Sequence, residues 1–147
     1  MDLPQSEADA LLGMAKVFET TATINLSPGV KDKRRLASDD GTESFMLDIN
    51  ASRVKLIKYS YHHRSRSVIP LARLCINGAG HQNPDFTVIS GLHFHRYVEG
   101  FGDKYAQELD SNLFSSPNDR VLTMQEFCKF INILNTPTIF ARSELRS

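Results

Sequence analysis

The residues best suited to chemistry stand together in Gly91-Leu92-His93-Phe94-His95-Arg96-Tyr97-Val98-Glu99-Gly100. Read as a strand, the stretch puts Leu92, Phe94, Arg96 and Val98 on one face and His93, His95, Tyr97 and Glu99 on the other. Two imidazoles, a phenol and a carboxylate are too polar a set for an ordinary core face. His93 and His95 are two residues apart, roughly 6.6 Å along an extended backbone, and that spacing suits two kinds of chemistry. Flanking a phosphodiester, one imidazole serves as general base and the other as general acid, because an unperturbed imidazole titrates near neutrality. Tyr97 then positions the substrate or stacks on a base. Converging on one ion, the same pair starts a metal site, with Glu99, His81 or Asp103 as further ligands. The plainer alternative is a two-faced sheet with the histidines at its surface and Leu92, Phe94 and Val98 turned inward.

Other residues extend the first chemistry. Arg73 is the lone charge in VIPLARLCIN, residues 68–77, and an arginine in such company usually has an anionic partner. With Arg96 and Lys104 it is suited to stabilise charge developing on a phosphorane. The long connection 78–90 carries His81; such loops are often functional, and disorder or an excursion hairpin is the simpler account. The predicted site therefore has His93, His95 and Tyr97 as catalytic residues and Arg73, His81, Arg96 and Lys104 as substrate contacts. It needs no cofactor and no metal; in the metal-dependent alternative the ligands are His93, His95 and Glu99. His62 and His63 are adjacent, point to opposite sides and cannot share an ion while the strand stays regular. Gly100-Phe101-Gly102 joins two strands, so its glycines suit a tight turn and not a phosphate loop.

These side chains need a scaffold. Ser6 is the expected N-cap of a helix whose Ala8, Leu11, Ala15 and Phe18 recur at helical spacing. Strands are expected over 20–26, over the basic run 30–37 as an exposed or edge strand, and over 44–49, 53–64, 68–77 and 105–109. Asp39-Asp40-Gly41 marks a hairpin, and Pro70 an edge or a bulge. A second helix has Thr123 and Glu126 as a capping box, Leu122 and Phe127 as its staple, and an apolar face of Met124, Phe127, Ile131 and Leu134. Asn135-Thr136-Pro137 ends it. The sum is an α+β domain spanning 1–147, with a polar tail over 141–147. A curved antiparallel sheet of five to seven strands is flanked by an N-terminal and a C-terminal helix and covered on one side.

Composition narrows the class. The 147 residues are 41% hydrophobic and 23% charged, so wholesale disorder is not expected. Lysine and arginine number 17 against 17 aspartates and glutamates, so any nucleic-acid contact must come from a local patch. Two cysteines, Cys75 and Cys128, sit in apolar runs and read as reduced core residues of a cytoplasmic protein. No apolar run reaches the roughly 18 residues that a membrane span needs.

Several stretches taken together resemble a family of uncharacterised small bacterial and phage proteins. They are Ala8-Asp9-Ala10-Leu11-Leu12, Leu47-Asp48-Ile49-Asn50, the 53–64 strand, Arg73 in its apolar run, Asn77-Gly78, His81 with Asn83-Pro84-Asp85, and 91–106. The chain has Gly91-Leu92-His93 where that family suggests Gly-Pro-His, and Tyr105 where a tryptophan is usual. That family is a domain of unknown function and supplies no activity. More distantly, the order Arg73, loop, His93 and His95 is similar in layout to TumE-type toxins of toxin–antitoxin systems, small α+β proteins taken to act on RNA. The resemblance implies a toxin-like or phage-defence protein that binds or cleaves RNA by metal-independent histidine chemistry. The alternative is a non-catalytic module, antitoxin-like or an inhibitor of phage defence, binding a partner protein through a sheet face. A homodimer fits either.

Overall fold

Strand after strand in this chain is joined by turn chemistry that the sequence carries. In the computed structural model, residues 3–20, 23–53 and 58–142 are described. The elements are α1 (Gln5–Gly13), β1 (Lys16–Phe18), β2 (Ile24–Asn25), β3 (Lys31–Ser38), β4 (Ser44–Ala51), β5 (Tyr59–Ser65) and β6 (Ile69–Ile76). There follow β7 (His81–Gln82), β8 (Val88–Ile89), β9 (His93–Arg96), β10 (Ala106–Glu108), α2 (Arg120–Phe130) and β11 (Ile139–Phe140). Seven strands form one antiparallel sheet in the order β1-β3-β4-β5-β6-β9-β10. The α+β class, the antiparallel sheet and the helices near each end are those expected. Two small pairings accompany it: β7 with β8 as a hairpin, and β11 with β2 in parallel.

At the β3–β4 turn the Asp40 carboxylate accepts from Ser38 Oγ, Thr42 N and Thr42 Oγ1 at 2.7–3.0 Å, and Gly41 takes φ 78°. Arg66 and Ser67 carry the β5–β6 turn at φ 51° and 63°, with Glu43 gripping the Arg66 guanidinium at 2.9 and 3.0 Å. Pro70 marks a bulge inside the sheet, where the register shifts between His63 and Arg64.

One face of the sheet is the core. Leu36, Phe45, Leu47, Ile49, Tyr61, Leu74 and Phe94 lie there beneath the two helices. From α2, Phe127 meets the Tyr61 ring at 5.9 Å and Phe130 meets Phe94 at 5.0 Å. Ala8, Leu11 and Leu12 bury one side of α1. The two helices are tied together by Lys16, which is wholly buried. Its ammonium donates to Leu12 O, Met14 O and Ile131 O at 2.8–3.0 Å and sits 4.7 Å above the Phe45 ring. These carbonyls lie at or just beyond the C-terminal ends of both helices, where acceptors lack helical partners and the dipole favours a cation. No helix among the described residues is long and apolar enough to cross a membrane.

Some boundaries differ from the sequence expectations. Helix α1 begins at Gln5 after Pro4 and has no side-chain cap, so Ser6 lies inside it. Asp119 caps α2, accepting from Leu122 N at 3.0 Å. The same capping chemistry thus arrives one turn before Thr123, which is buried in the helix with its hydroxyl on Ser116 O. Glu126 instead holds Ser115, and Leu134 is exposed beyond the helix end. Basic β3 is the second strand and not an edge, although three-residue β1 pairs only its Leu36–Ser38 end. Of the strand expected over 20–26, Ile24–Asn25 forms, while Thr21 and Ala22 lie outside the described residues. The 53–64 strand is seen from Tyr59; Val54, Lys55, Leu56 and Ile57 lie outside them, as do residues 143–147 of the tail.

Candidate functional site

Partners across an antiparallel ladder share a face, and the registers here align two polar rows on the face away from the helices. One runs Asp48, His62, Arg73, His95 through β4, β5, β6 and β9. The other runs Asn50, Ser60, Cys75, His93 through the same strands and ends on Glu108 of β10. Lys33 and Lys31 of β3 extend the two rows on the far side. Parity alone makes this face: β5 turns Tyr59, Tyr61 and His63 to the core and Ser60, His62 and Arg64 away from it.

Two loops complete the site. The turn at Gly100 and Gly102, both at positive φ (87° and 61°), brings Asp103 over the first row. Its carboxylate lies 3.5 Å from Arg73 Nε and 3.9 Å from His62 Nε2, so it is the anionic partner expected for Arg73. Asp48 grips Arg64 at 2.8 and 2.9 Å and lies 3.8 Å from His62 Nδ1. The 78–90 connection is an excursion whose β7–β8 hairpin is fastened to β10 by Asn83. That side chain accepts from Ala106 N and donates to Ala106 O at 2.8 and 2.9 Å, imitating a strand partner. The ends of the excursion close tightly, since a Cβ on Gly91 would lie 2.3 Å from Gly78 O.

The hairpin lays His81 against the two strand histidines. Ring centroids are 4.7 Å apart for His81–His95, 4.8 Å for His93–His95 and 5.7 Å for His81–His93. Each ring donates one N–H to a backbone carbonyl: His93 Nδ1 to Ser90 O (2.6 Å), His95 Nδ1 to Asp103 O (2.7 Å), and His81 Nε2 to Lys104 O (2.6 Å). A carbonyl only accepts, which assigns the protonated nitrogen in each ring. Burial lowers the pKa of His93, and burial with the adjacent Arg73 guanidinium takes His95 down to about 4. Both strand imidazoles are therefore neutral at neutral pH, each with a lone pair on Nε2. Arg73 Nη2 is 3.4 Å from His95 Nε2 and 3.5 Å from Nδ1; with Nδ1–H given to Asp103 O, the guanidinium donates a long hydrogen bond to the Nε2 lone pair.

Of the predicted residues, His93, His95, Arg73 and His81 come together. Lys104 joins them through its carbonyl. Tyr97 does not: beyond Arg96 the strand ends, and the buried Tyr97 phenol donates to Leu3 O and accepts from Leu3 N at 2.7 and 2.8 Å, docking the chain ahead of α1. Glu99 follows it, accepting from Gln5 N at 2.7 Å, which removes it as a partner for a metal on the histidines. Arg96 lies on the opposite face, its guanidinium 5.5 Å from the Phe130 ring. Cys128 is the core residue its apolar run implies, but Cys75 is not: it is half-buried on the open face, opposite His93. The alternation from Arg73 to Cys75 carries that signal, masked by apolar neighbours. Parity turns His62 away from His63, but its place beside Asp48 and Asp103 depends on pairings the sequence does not state.

A groove of about 720 Å³ opens from His93 and Cys75 across Ser60 and Asn50, and Lys31, Arg53 and Lys58 also line it. The site thus offers neutral imidazole bases, a thiol and an adjoining cationic channel. No curated protein and no solved structure matches this chain. A family model does, over residues 3–133, from the residues leading into α1 to just past α2. The chain therefore belongs to DUF6978, a family of unknown function.

Proposed function

We propose that this protein binds RNA along the open sheet face, as a small effector of toxin–antitoxin or phage-defence type. The observation that carries the reading is the groove, in which Lys31, Arg53 and Lys58 line a channel ending on His93. With equal numbers of acidic and basic residues, the chain has no general attraction for polyanions, so a cationic channel is a local device. Asn50 and Ser60 on its floor add hydrogen-bonding groups for sugar or base edges. Binding is better supported than cleavage by a paired acid and base, because neutral His93 and His95 offer two bases and no acid. Two free thiols suit a reducing cytoplasm.

Anisotropy titrations of a labelled single-stranded RNA over a range of salt concentrations test this. Replacing Lys31, Arg53 and Lys58 together by alanine should weaken binding at least tenfold. It should also make the salt slope shallower by about 2, since each phosphate neutralised on a single strand adds roughly 0.7 to that slope. Unchanged affinity and slope would overturn the reading. A protein partner is the second reading, favoured by Phe86 and Val88, which stand 78% and 74% exposed on the β7–β8 hairpin and its turn. Phe86→Ser with Val88→Ser separates the two, since it should spare RNA binding and abolish capture of a stoichiometric partner.

A further inference from the structure

We propose that Cys75, His93 and His95 form a binding site for a borderline-soft divalent ion, with Zn²⁺ the favoured occupant. One ligand atom from each residue lies within 4.8 Å of the other two. Around a tetrahedral zinc, sulfur and nitrogen donors stand roughly 3.4–3.6 Å apart, a closure that side-chain torsions can supply. All three residues sit on adjacent central strands, Cys75 directly paired with His93 and Arg73 with His95. Sites on strands hold their geometry better than sites on loops.

The second feature is orientation. Metal-bound histidines characteristically donate their other ring N–H to a carbonyl or carboxylate, which fixes tautomer and ring direction. Here both strand histidines make that bond in advance, His93 to Ser90 O and His95 to Asp103 O, which leaves Nε2 of each as the ligand atom; on His95 the ion would replace the long 3.4 Å contact from Arg73 Nη2. His81, packed on both rings and held by Lys104 O, restricts their movement. Thiol and imidazole together select zinc over magnesium or calcium, which require oxygen donors.

Charge is the opposing consideration, because Arg73 lies against the His95 ring. Asp103 stands 3.5 Å from that guanidinium, and the thiolate formed on binding removes one further positive charge from the site. The exchange is balanced: the zinc–sulfur bond replaces the S–H bond, and the proton leaves to solvent. Three protein ligands leave one position for water or a bound group, the pattern of catalytic and not structural zinc. The groove begins at Cys75 and His93, so that position is reachable by whatever the groove holds. The proposal does not depend on RNA being that ligand.

The test uses the untagged full chain, stripped with chelator and titrated with Co²⁺ in the absence of nucleic acid. A thiolate-to-cobalt charge-transfer band should grow to saturation at one ion per chain and vanish when Zn²⁺ is added. Cys75→Ser should lose the band, His93→Gln and His95→Gln should each weaken binding at least tenfold, and Cys128→Ser should leave it intact. Should the Cys75 variant fail to fold, the parent chain still decides the matter, because Zn²⁺ must then protect Cys75 from alkylation. A folded parent chain with no charge-transfer band, or a band that survives Cys75→Ser, would overturn the proposal.

Discussion

The two faces of the sheet both hold buried histidine and a cation, and they use them in opposite ways. On the helix-covered face, His63 stacks on Phe45 at 5.4 Å with its Nδ1 on Met46 O, and Lys16 has three carbonyls around its ammonium. On the open face, His62, His81, His93 and His95 gather around Arg73 and Asp103 beside a groove. The first set closes the core; the second leaves lone pairs and a guanidinium edge beside a channel. His62 and His63 are neighbours in the chain, yet strand parity sends them into these two environments. Residue type is thus a poor guide to role in a two-faced sheet, and register is a good one.

The contrast between the faces implies unequal costs. Lys16→Met should be the most damaging substitution, destabilising the protein by about 3–5 kcal/mol, because it strands carbonyls at two helix ends in the core. Arg73→Met, on the open face, should cost less than about 1 kcal/mol. Urea unfolding of the two variants measures both, and equal losses would break the distinction.

Acid sensitivity gives the next effect. Enclosure, with Lys16 nearby, holds the His63 pKa down at about 3, against an ordinary value near 6.5 in the unfolded chain. Between those values the unfolded state binds the proton that the folded state refuses. His63 therefore contributes its full stability above about pH 6.5 and loses it progressively as pH falls toward 3. The loss should reach several kcal/mol, and His63→Leu should flatten that limb of the stability–pH curve. A curve of unchanged shape in the variant would place the acid sensitivity elsewhere.

Much of this arrangement is legible in the sequence, and the reasons for the misses are physical. Alternation alone separates His62 from His63 and puts His93 with His95, and the lone charge of Arg73 in an apolar strand implies an anionic partner, though not that it is Asp103. The same alternation fails at Tyr97 and Glu99, because the strand ends at Arg96 and the chain bends to meet the start of α1. Arg96 obeys the parity rule, which puts it on the helix side; assigning it to the site conflicts with that rule. Lys16 gives no local signal, since its role needs the ends of two helices at opposite ends of the chain, presenting Leu12 O and Ile131 O. In α2, Asp119 and Thr123 are both good caps; the helix starts after the earlier one, and Thr123 is buried within it with its hydroxyl on Ser116 O.

The chain has five histidines, four on the open face and one in the core, so their imidazole resonances provide an internal control. If the open face is the binding surface, titration with single-stranded RNA should shift the signals of His62, His81, His93 and His95 and leave His63 in place. A shift at His63 with the other four unmoved, or no movement at any of the five under conditions where RNA is bound, would contradict it.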